Sequence, residues 1–563
     1  MKKNKIFSMG VALAIGAGAA FTSCVDTDSN LVDFGSALDS PNDTVYSLFG
    51  VLNKMQAIAD RTIILGEVKG DMTALTDAAT TDLQDVANFT VGADNRYNKP
   101  EDYYAIIQNC NYYIAHADTN MSLRGEKVFI REYAAIKAIR AWTYLQLAIN
   151  YGEVPFYTKP LMTEAETDPS LYPKYDVKQI AEYFIPDLAP YVETDLPLGD
   201  AGYKTYFIPV RLILGDLCLW AGRYQEAAQY YHDYLTHVDE PHYVQDGGRY
   251  RWVSDEFLSV ITTSSTNESL MGIRMETQEY DGIVSYLDDI FTSTSDNYYY
   301  YQASASPALE ELSRSQRYVY EVLRTSSAGT IVPEDTVSPA PDFEYLEINQ
   351  KGDLRYFGTV STSYSTAMGD NYSSTHVSNT KITSGFVYLY HVLTVYLRMA
   401  EAYNRAGLPE SAFTILKYGL SSSTVSKYIN QGERNRGGDL LVWDPYLFIT
   451  NDMVTSTLLE NTWGIHAVGC GDTRCDTLYA IPDDLTTLED SILFVENLIC
   501  DEMALQQTFE GTRFGDLQRI ALRRNNPAFL ADKVARRKGS SVPRDEALYN
   551  RLLDKDNWYL PLE

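Results

Sequence analysis

The segment "RLILGDLCLWAGRYQEAAQYY" (residues 211–231) has a near copy in "YLRMAEAYNRAGLPESAFTIL" (residues 396–416). Laid over one another, Asp216 falls on Glu401, Ala221-Gly222 on Ala406-Gly407, and Ala227 on Ala412. Each copy reads as a helix, an Ala-Gly turn and a second helix carrying a small residue. A unit of this kind cannot bury its apolar face alone, so it must stack on another.

Helix, Ala-Gly turn and helix is the tetratricopeptide pattern. The copies are not in tandem, and the sequence therefore predicts a helical platform interrupted by long insertions. Helical periodicity is clearest in residues 128–157, where Ala134, Ala138, Ala141, Leu145 and Ala148 form one stripe. Phe129, Tyr133, Ile136 and Leu147 mark the opposite side, so this helix belongs between neighbours, with the alanines permitting close approach. Gly152 and Pro155 end it.

Between residues 243 and 385 the composition turns to Tyr, Ser, Thr, Asn and Asp, centred on "SDNYYYYQASASP" and "STSYSTAMGDNYSSTHVSNT". Helix periodicity is lost there, which predicts loops and short strands carried on the platform, the usual place for binding residues. The expected class is mainly α, with a partly β, loop-rich subdomain inserted. The expected divisions are a signal peptide over 1–23, a lipidated N-terminus and tether over 24–43, and an N-terminal helical platform over 44–242. The ligand-binding insertion follows over 243–385, and a C-terminal helical and loop region over 386–563 completes the platform.

The start of the chain reads as an export signal: Lys2, Lys3 and Lys5 precede "IFSMGVALAIGAGAAF", an apolar run too short and glycine-rich for a stable membrane span. "FTSCVDTD" (21–28) then places Cys24 after small residues, as in the lipobox where bacterial lipoproteins are cut and acylated. Several acyl chains on one cysteine would hold the protein stably to a bilayer, at about 0.8 kcal/mol per buried methylene. A plain signal peptide with an incidental cysteine is the other reading. Few bulky apolar residues follow Cys24, as expected of a tether.

The chain of 563 residues carries 76 acidic against 46 basic side chains, a formal charge of −30. Such a surface repels phosphate backbones and argues against a nucleic-acid partner. Cys110, Cys218, Cys470, Cys475 and Cys500 are an odd, sparse set in a chain of this length, not a disulfide framework.

Several separated blocks together resemble the SusD/RagB family of nutrient-binding surface lipoproteins. They are Arg131-Glu132 through Arg140-Ala141, Tyr144-Leu145 and "YGEVP" at 151–155; "LRMAEAYNRAG" at 397–407; and "FEGTRFGDLQR" at 509–519. "ILGEVKGDM" (64–72) and "YYAIIQNCNYYI" (103–114) are similar to the family's N-terminal elements, whereas "GIHAVGCGDTRC" (464–475) departs from its pattern. The resemblance implies a tetratricopeptide-like platform and a non-catalytic lipoprotein of the outer membrane, facing outside and anchored in lipid through acylated Cys24. It also implies an oligosaccharide ligand, or a peptide as in the RagB branch, and a SusC-like TonB-dependent barrel as partner. A helical-repeat scaffold and a surface glycoside hydrolase are the alternatives from other classes.

Sugar binding needs flat aromatic faces and fixed polar groups, and tyrosine offers a large area with only two torsions to immobilise. In the run Tyr298–Tyr301, an extended backbone would put Tyr298 and Tyr300 on one face as a platform; the run could equally cover the helical platform. Tyr97 and Asn98, in a loop crowded with Asn95 and Arg96, are carried over from the family resemblance. Asp71 could accept a sugar hydroxyl or cap a helix. Arg131, Arg140, Glu510, Arg513 and Asp516 fall within helical motifs and are expected to pair structurally. His466, Cys470 and Cys475 lack a fourth zinc ligand, and His232, His237 and His242 are spaced apart on different helix faces. No catalytic residue, metal ligand or cofactor is assigned, although loop carboxylates leave a structural calcium open.

Overall fold

The computed structural model describes residues 41–198, 204–236, 269–279, 282–293, 301–325, 331–339, 353–366, 373–382, 385–443, 464–471, 473 and 476–562. The signal segment, Cys24, Tyr298, Tyr300 and Cys475 lie outside these residues. Helix α1 (Pro41–Val68) begins just inside the stretch expected to be tether. After it come β1 (Thr73–Leu75), α2 (Thr81–Asn88), α3 (Pro100–His116) and α4 (Ile130–Tyr151). The central helix α4 is buried on both sides, as its two apolar stripes require, and ends at Gly152, whose positive φ of 75° turns the chain.

Helices α5 (Val177–Leu188), α6 (Val210–Ala221) and α7 (Tyr224–Leu235) continue the platform. The second copy of the repeat is α9 (Val392–Arg405) with α10 (Pro409–Lys417), beyond the insertion. Both turns use a glycine at positive φ, 78° at Gly222 and 84° at Gly407, so the Ala-Gly signature is a left-handed helix stop. From α3 to α7 each helix packs on the next, and α7 then packs directly on α9. The two copies, distant in sequence, are thus neighbours in one stack.

The insertion begins with β2 (Ser269–Arg274) and returns through β8 (Phe386–His391), which pair antiparallel from Ser269–His391 to Arg274–Phe386 and so close its base. Within it, β3 (Ala303–Ala305) pairs with β1 and leads into α8 (Pro307–Ser315). Two hairpins follow, β4 (Arg317–Thr325) with β5 (Ile331–Pro339), and β6 (Val360–Thr366) with β7 (Ser373–Asn379). The region is more regular than its composition predicts. The strands of the second hairpin are rich in Ser and Thr and are specified by pairing across the turn, so no apolar alternation reveals them. Helix α8 starts on local chemistry: the Ser306 hydroxyl accepts from the Leu309 amide and Pro307 fills the first turn.

Helices α11 (Leu488–Gln507) and α12 (Arg513–Arg523) complete the platform, α11 against α9 and α12 against α1. Here the "ILGEVKGDM" and "FEGTRFGDLQR" motifs meet. A Cβ on Gly66 would lie 1.8 Å from the Gly511 carbonyl oxygen, so the backbones touch in a way only glycine permits. The Gly511 amide donates to Glu67 Oε1 at 2.8 Å, and Arg513 grips Asp71 with Nε and Nη2 at 2.6 and 2.8 Å. Nearby, Arg519 Nη2 reaches Glu401 and Asp516 at 2.5 and 2.7 Å. The motif charges Arg140, Glu510, Arg513 and Asp516 are buried and paired, whereas Arg131 makes an exposed pair with Asp195. Cys110, Cys218, Cys470 and Cys500 are buried free thiols.

Candidate functional site

The segment that leads into α2 lies against the inserted segment. The Thr76 amide donates to the Gln302 carbonyl at 3.0 Å, the Thr76 hydroxyl donates to the Tyr301 carbonyl, and the Thr80 amide donates to Gln302 Oε1 at 3.1 Å. The chain leaving the tyrosine run is therefore fastened beside α2. Tyr301 itself has a positive φ of 63°, held by its amide donating to the Asp289 carbonyl at 2.9 Å.

From the platform, Asp60 on α1 reaches the inserted segment. Its carboxylate accepts from the Ser285 hydroxyl and the Tyr286 amide, both at 2.7 Å. Burial raises the Asp60 carboxyl above its ordinary range, these two hydrogen bonds act against that, and Asp288 adds to the rise. The Tyr286 hydroxyl donates to Glu279 Oε1 at 2.8 Å. Tyr286 is thus held at its backbone by Asp60 and at its ring tip by Glu279, while half its surface, 50%, stays in solvent. Fixing both ends beforehand removes the torsional entropy that a free side chain would lose on contact.

Exposed Arg96 pairs with Asp82 through Nε at 3.1 Å. Asp60, Asp82 and Arg96 all act on the Tyr97 hydroxyl, which burial holds above its ordinary range. The exposed Tyr286 ring, the Arg96 cation and the carboxylates together are a mixture suited to the apolar C–H faces and hydroxyls of a sugar chain.

Three nominated residues have a different placement from the one expected. Asp71 presents nothing to solvent and caps no helix, because both carboxylate oxygens are taken by Arg513 in the interior. Tyr97 and Asn98 are turned inward and brace the loop: the Tyr97 amide donates to Asn95 Oδ1 at 2.9 Å, and the Asn98 amide to the Asn95 carbonyl at 2.9 Å. Tyr286 was missed because a single tyrosine among 44 carries no spacing signal, and its clamps come from Asp60 and Glu279. Among the described residues no group of three His, Cys, Asp or Glu side chains could hold a metal ion. His466 lies instead against Glu502, Nδ1 to Oε1 at 2.5 Å, and Cys470 lies 3.5 Å from Asp353.

No family model and no curated protein matches the chain. Solved structures do. A SusD superfamily protein from Bacteroides vulgatus superposes with a TM-score of 0.52 at 13% identity, covering 92% of both chains. The chain's fold is SusD-like. A SusD-like carbohydrate-binding protein from Bacteroides vulgatus has a TM-score of 0.51 at 16% identity, covering 85% of this chain and 83% of its own. Surface glycan-binding protein A from Bacteroides uniformis has a TM-score of 0.50 at 13% identity, covering 90% of this chain and 93% of its own. The SusD-like platform is what brings Asp60 beneath the inserted segment, so the ring of Tyr286 is positioned by the fold and not by its loop alone. Among the described residues, no helix is long and apolar enough to cross a membrane.

Proposed function

We propose that this protein is a non-catalytic surface lipoprotein that binds an oligosaccharide on the face around Tyr286 and hands it to a SusC-like TonB-dependent barrel. Acylated Cys24 would tie it to the outer membrane, and no cofactor is needed for the task. The observation that carries the reading is the exposed Tyr286 ring, clamped at its amide by Asp60 and at its hydroxyl by Glu279. The SusD-like fold supports it, since proteins of that fold include ones named for carbohydrate and glycan binding. Tyr298 and Tyr300, outside the described residues, stay candidates from the sequence of the tyrosine run; Asp71 does not, and Tyr97 and Asn98 support their loop from within. The carboxylates of the face hold geometry, Asp60 and Glu279 on Tyr286 and Asp82 on Arg96.

Electrophoresis through gels containing neutral polysaccharides tests this. Retardation by one glycan should weaken in Tyr286→Ala and in Tyr298→Ala/Tyr300→Ala, by about 1–3 kcal/mol per lost ring in analogy with other stacking surfaces. Unchanged retardation in both variants, or retention of peptides and not glycans, refutes the site or the ligand class respectively. Release of glycan fragments on incubation would instead support a hydrolase. Cys24→Ala should release the protein from membranes without altering glycan affinity.

A further inference from the structure

A cleft of about 960 Å³ lies between the α6–α7 turn, the end of α4 and the C-terminal tail around Tyr559. None of Asp60, Asp82, Arg96, Tyr97, Glu279 and Tyr286 lines it. Its walls carry six basic residues against three acidic ones, in a protein where acids outnumber bases 76 to 46. Three of these bases are already matched: Arg519 by Glu401 and Asp516, Arg523 by Glu496, and Arg405 by Glu401 and Glu496. The buried Lys69 is not. Lys69 is 2% exposed, and its Nζ has no hydrogen-bond partner; it rests 4.0 Å from the centre of the Phe514 ring.

A buried ammonium with no anion beside it is costly, and burial alone pulls the Lys69 amine down to about 7. A ring face cannot replace a carboxylate, because a cation–π contact lacks directed acceptors for the three N–H groups. Other aromatic side chains line the same cleft: Trp220 and Tyr224 at the turn and Tyr559 on the tail, all partly exposed. A cleft that holds both exposed rings and a spare cationic donor makes a site for a small molecule that joins an apolar sugar face to an oxyanion.

We propose that this cleft is a second binding site, for a carboxylate-bearing sugar, whose carboxylate is met by Lys69 Nζ while its ring packs on the cleft aromatics. This goes beyond the Tyr286 face and does not depend on it.

Isothermal titration of the full chain with D-glucuronate, D-glucose and inorganic sulfate tests the proposal. D-glucuronate should bind, D-glucose should bind at least roughly tenfold more weakly, and sulfate should compete with D-glucuronate. Lys69→Met and Lys69→Gln should each lose roughly tenfold or more in D-glucuronate affinity. Lys69→Met should raise the melting temperature, since it removes an unpaired buried cation, and Tyr286→Ala should leave D-glucuronate binding unchanged. Absence of D-glucuronate binding to the wild type, equal binding of D-glucose, or wild-type affinity in the folded Lys69 variants overturns the site. Neutral-polysaccharide retention lost only in Tyr286→Ala reports on the other face, so the two failures are distinguishable.

Discussion

Replacing Asp71 by Asn separates a structural from a ligand-binding role for that residue. In the wild type, burial works to raise the Asp71 carboxyl, but the Arg513 charge and its two hydrogen bonds overrule it and hold the group below its ordinary range. Both side chains are almost wholly enclosed, at 3% and 2% exposure. Asn keeps one acceptor and turns the other oxygen into an NH2 group facing a guanidinium N–H. Arg513 then keeps the Cys500 carbonyl, at 2.8 Å, but has no negative charge against it. Breaking a buried pair from one side costs about 3–5 kcal/mol, because the remaining charge is uncompensated. Replacing both partners, as in Asp71→Leu/Arg513→Met, should recover most of that loss. Urea unfolding followed by fluorescence of the six tryptophans reads both variants. The folded single variant should keep wild-type retardation in neutral-glycan gels. A loss below about 1 kcal/mol, within the range of ordinary substitutions, would refute the buried-pair reasoning. So would wild-type stability combined with lost glycan retention, which would return Asp71 to the ligand.

Gly66→Ala should destabilise by about 1–3 kcal/mol or more, because its Cβ would collide with the Gly511 carbonyl at 1.8 Å; a wild-type melting temperature would show that the two backbones do not touch. Acid should act through Glu502 and Glu510: burial raises each carboxyl, but Arg355 and His466 at the first, and Lys381 and His391 at the second, bring both to about 2 from an ordinary 4.5. Their folded pKa is depressed, so their stabilisation is complete above pH 4.5 and is lost as pH falls toward 2. Glu502→Gln should flatten the stability profile across that window, and an unchanged profile would contradict the pairing. Burial raises Cys110 and Cys218 to about 12, so iodoacetamide at pH 8 should leave both unlabelled until urea is added, as peptide mass mapping would show.

The helix-turn-helix copies were legible because their information is local: a stripe of small and apolar residues, then a glycine where the backbone must enter the left-handed region. The buried pairing expected of Arg140, Arg513 and Asp516 follows from the same logic, since a charge inside a helical motif needs a partner. Which partner was not legible. Asp71 and Arg513 are 442 residues apart, and the residues around Asp71 allow a cap, a ligand contact or an ion pair alike. The hairpins of the insertion escaped for a related reason, since their strands are specified by each other. Tyr286 is a ligand candidate only through Asp60 and Glu279, and nothing in its immediate sequence announces either clamp.

The equivalent carboxylates of the two copies show how the platform tolerates so varied an insertion. Asp216 is met by Arg398 at 2.6 Å, with Tyr231 and Tyr390 donating hydroxyls at 2.6 and 2.5 Å; Glu401 is met by Arg519 and Arg405. Arg398 belongs to the other copy, Tyr390 to the strand closing the insertion, and Arg519 to the C-terminal helix. Each acid therefore joins elements that are remote in sequence, and a slip of any one would strand a charge away from water. An apolar stripe alone would not impose that penalty, because greasy surfaces accept neighbouring registers with little loss. With register fixed by ion pairs inside the platform, the residues between β2 and β8 need only close at their base. Asp60 then arrives beneath Tyr286 whatever path the intervening chain takes.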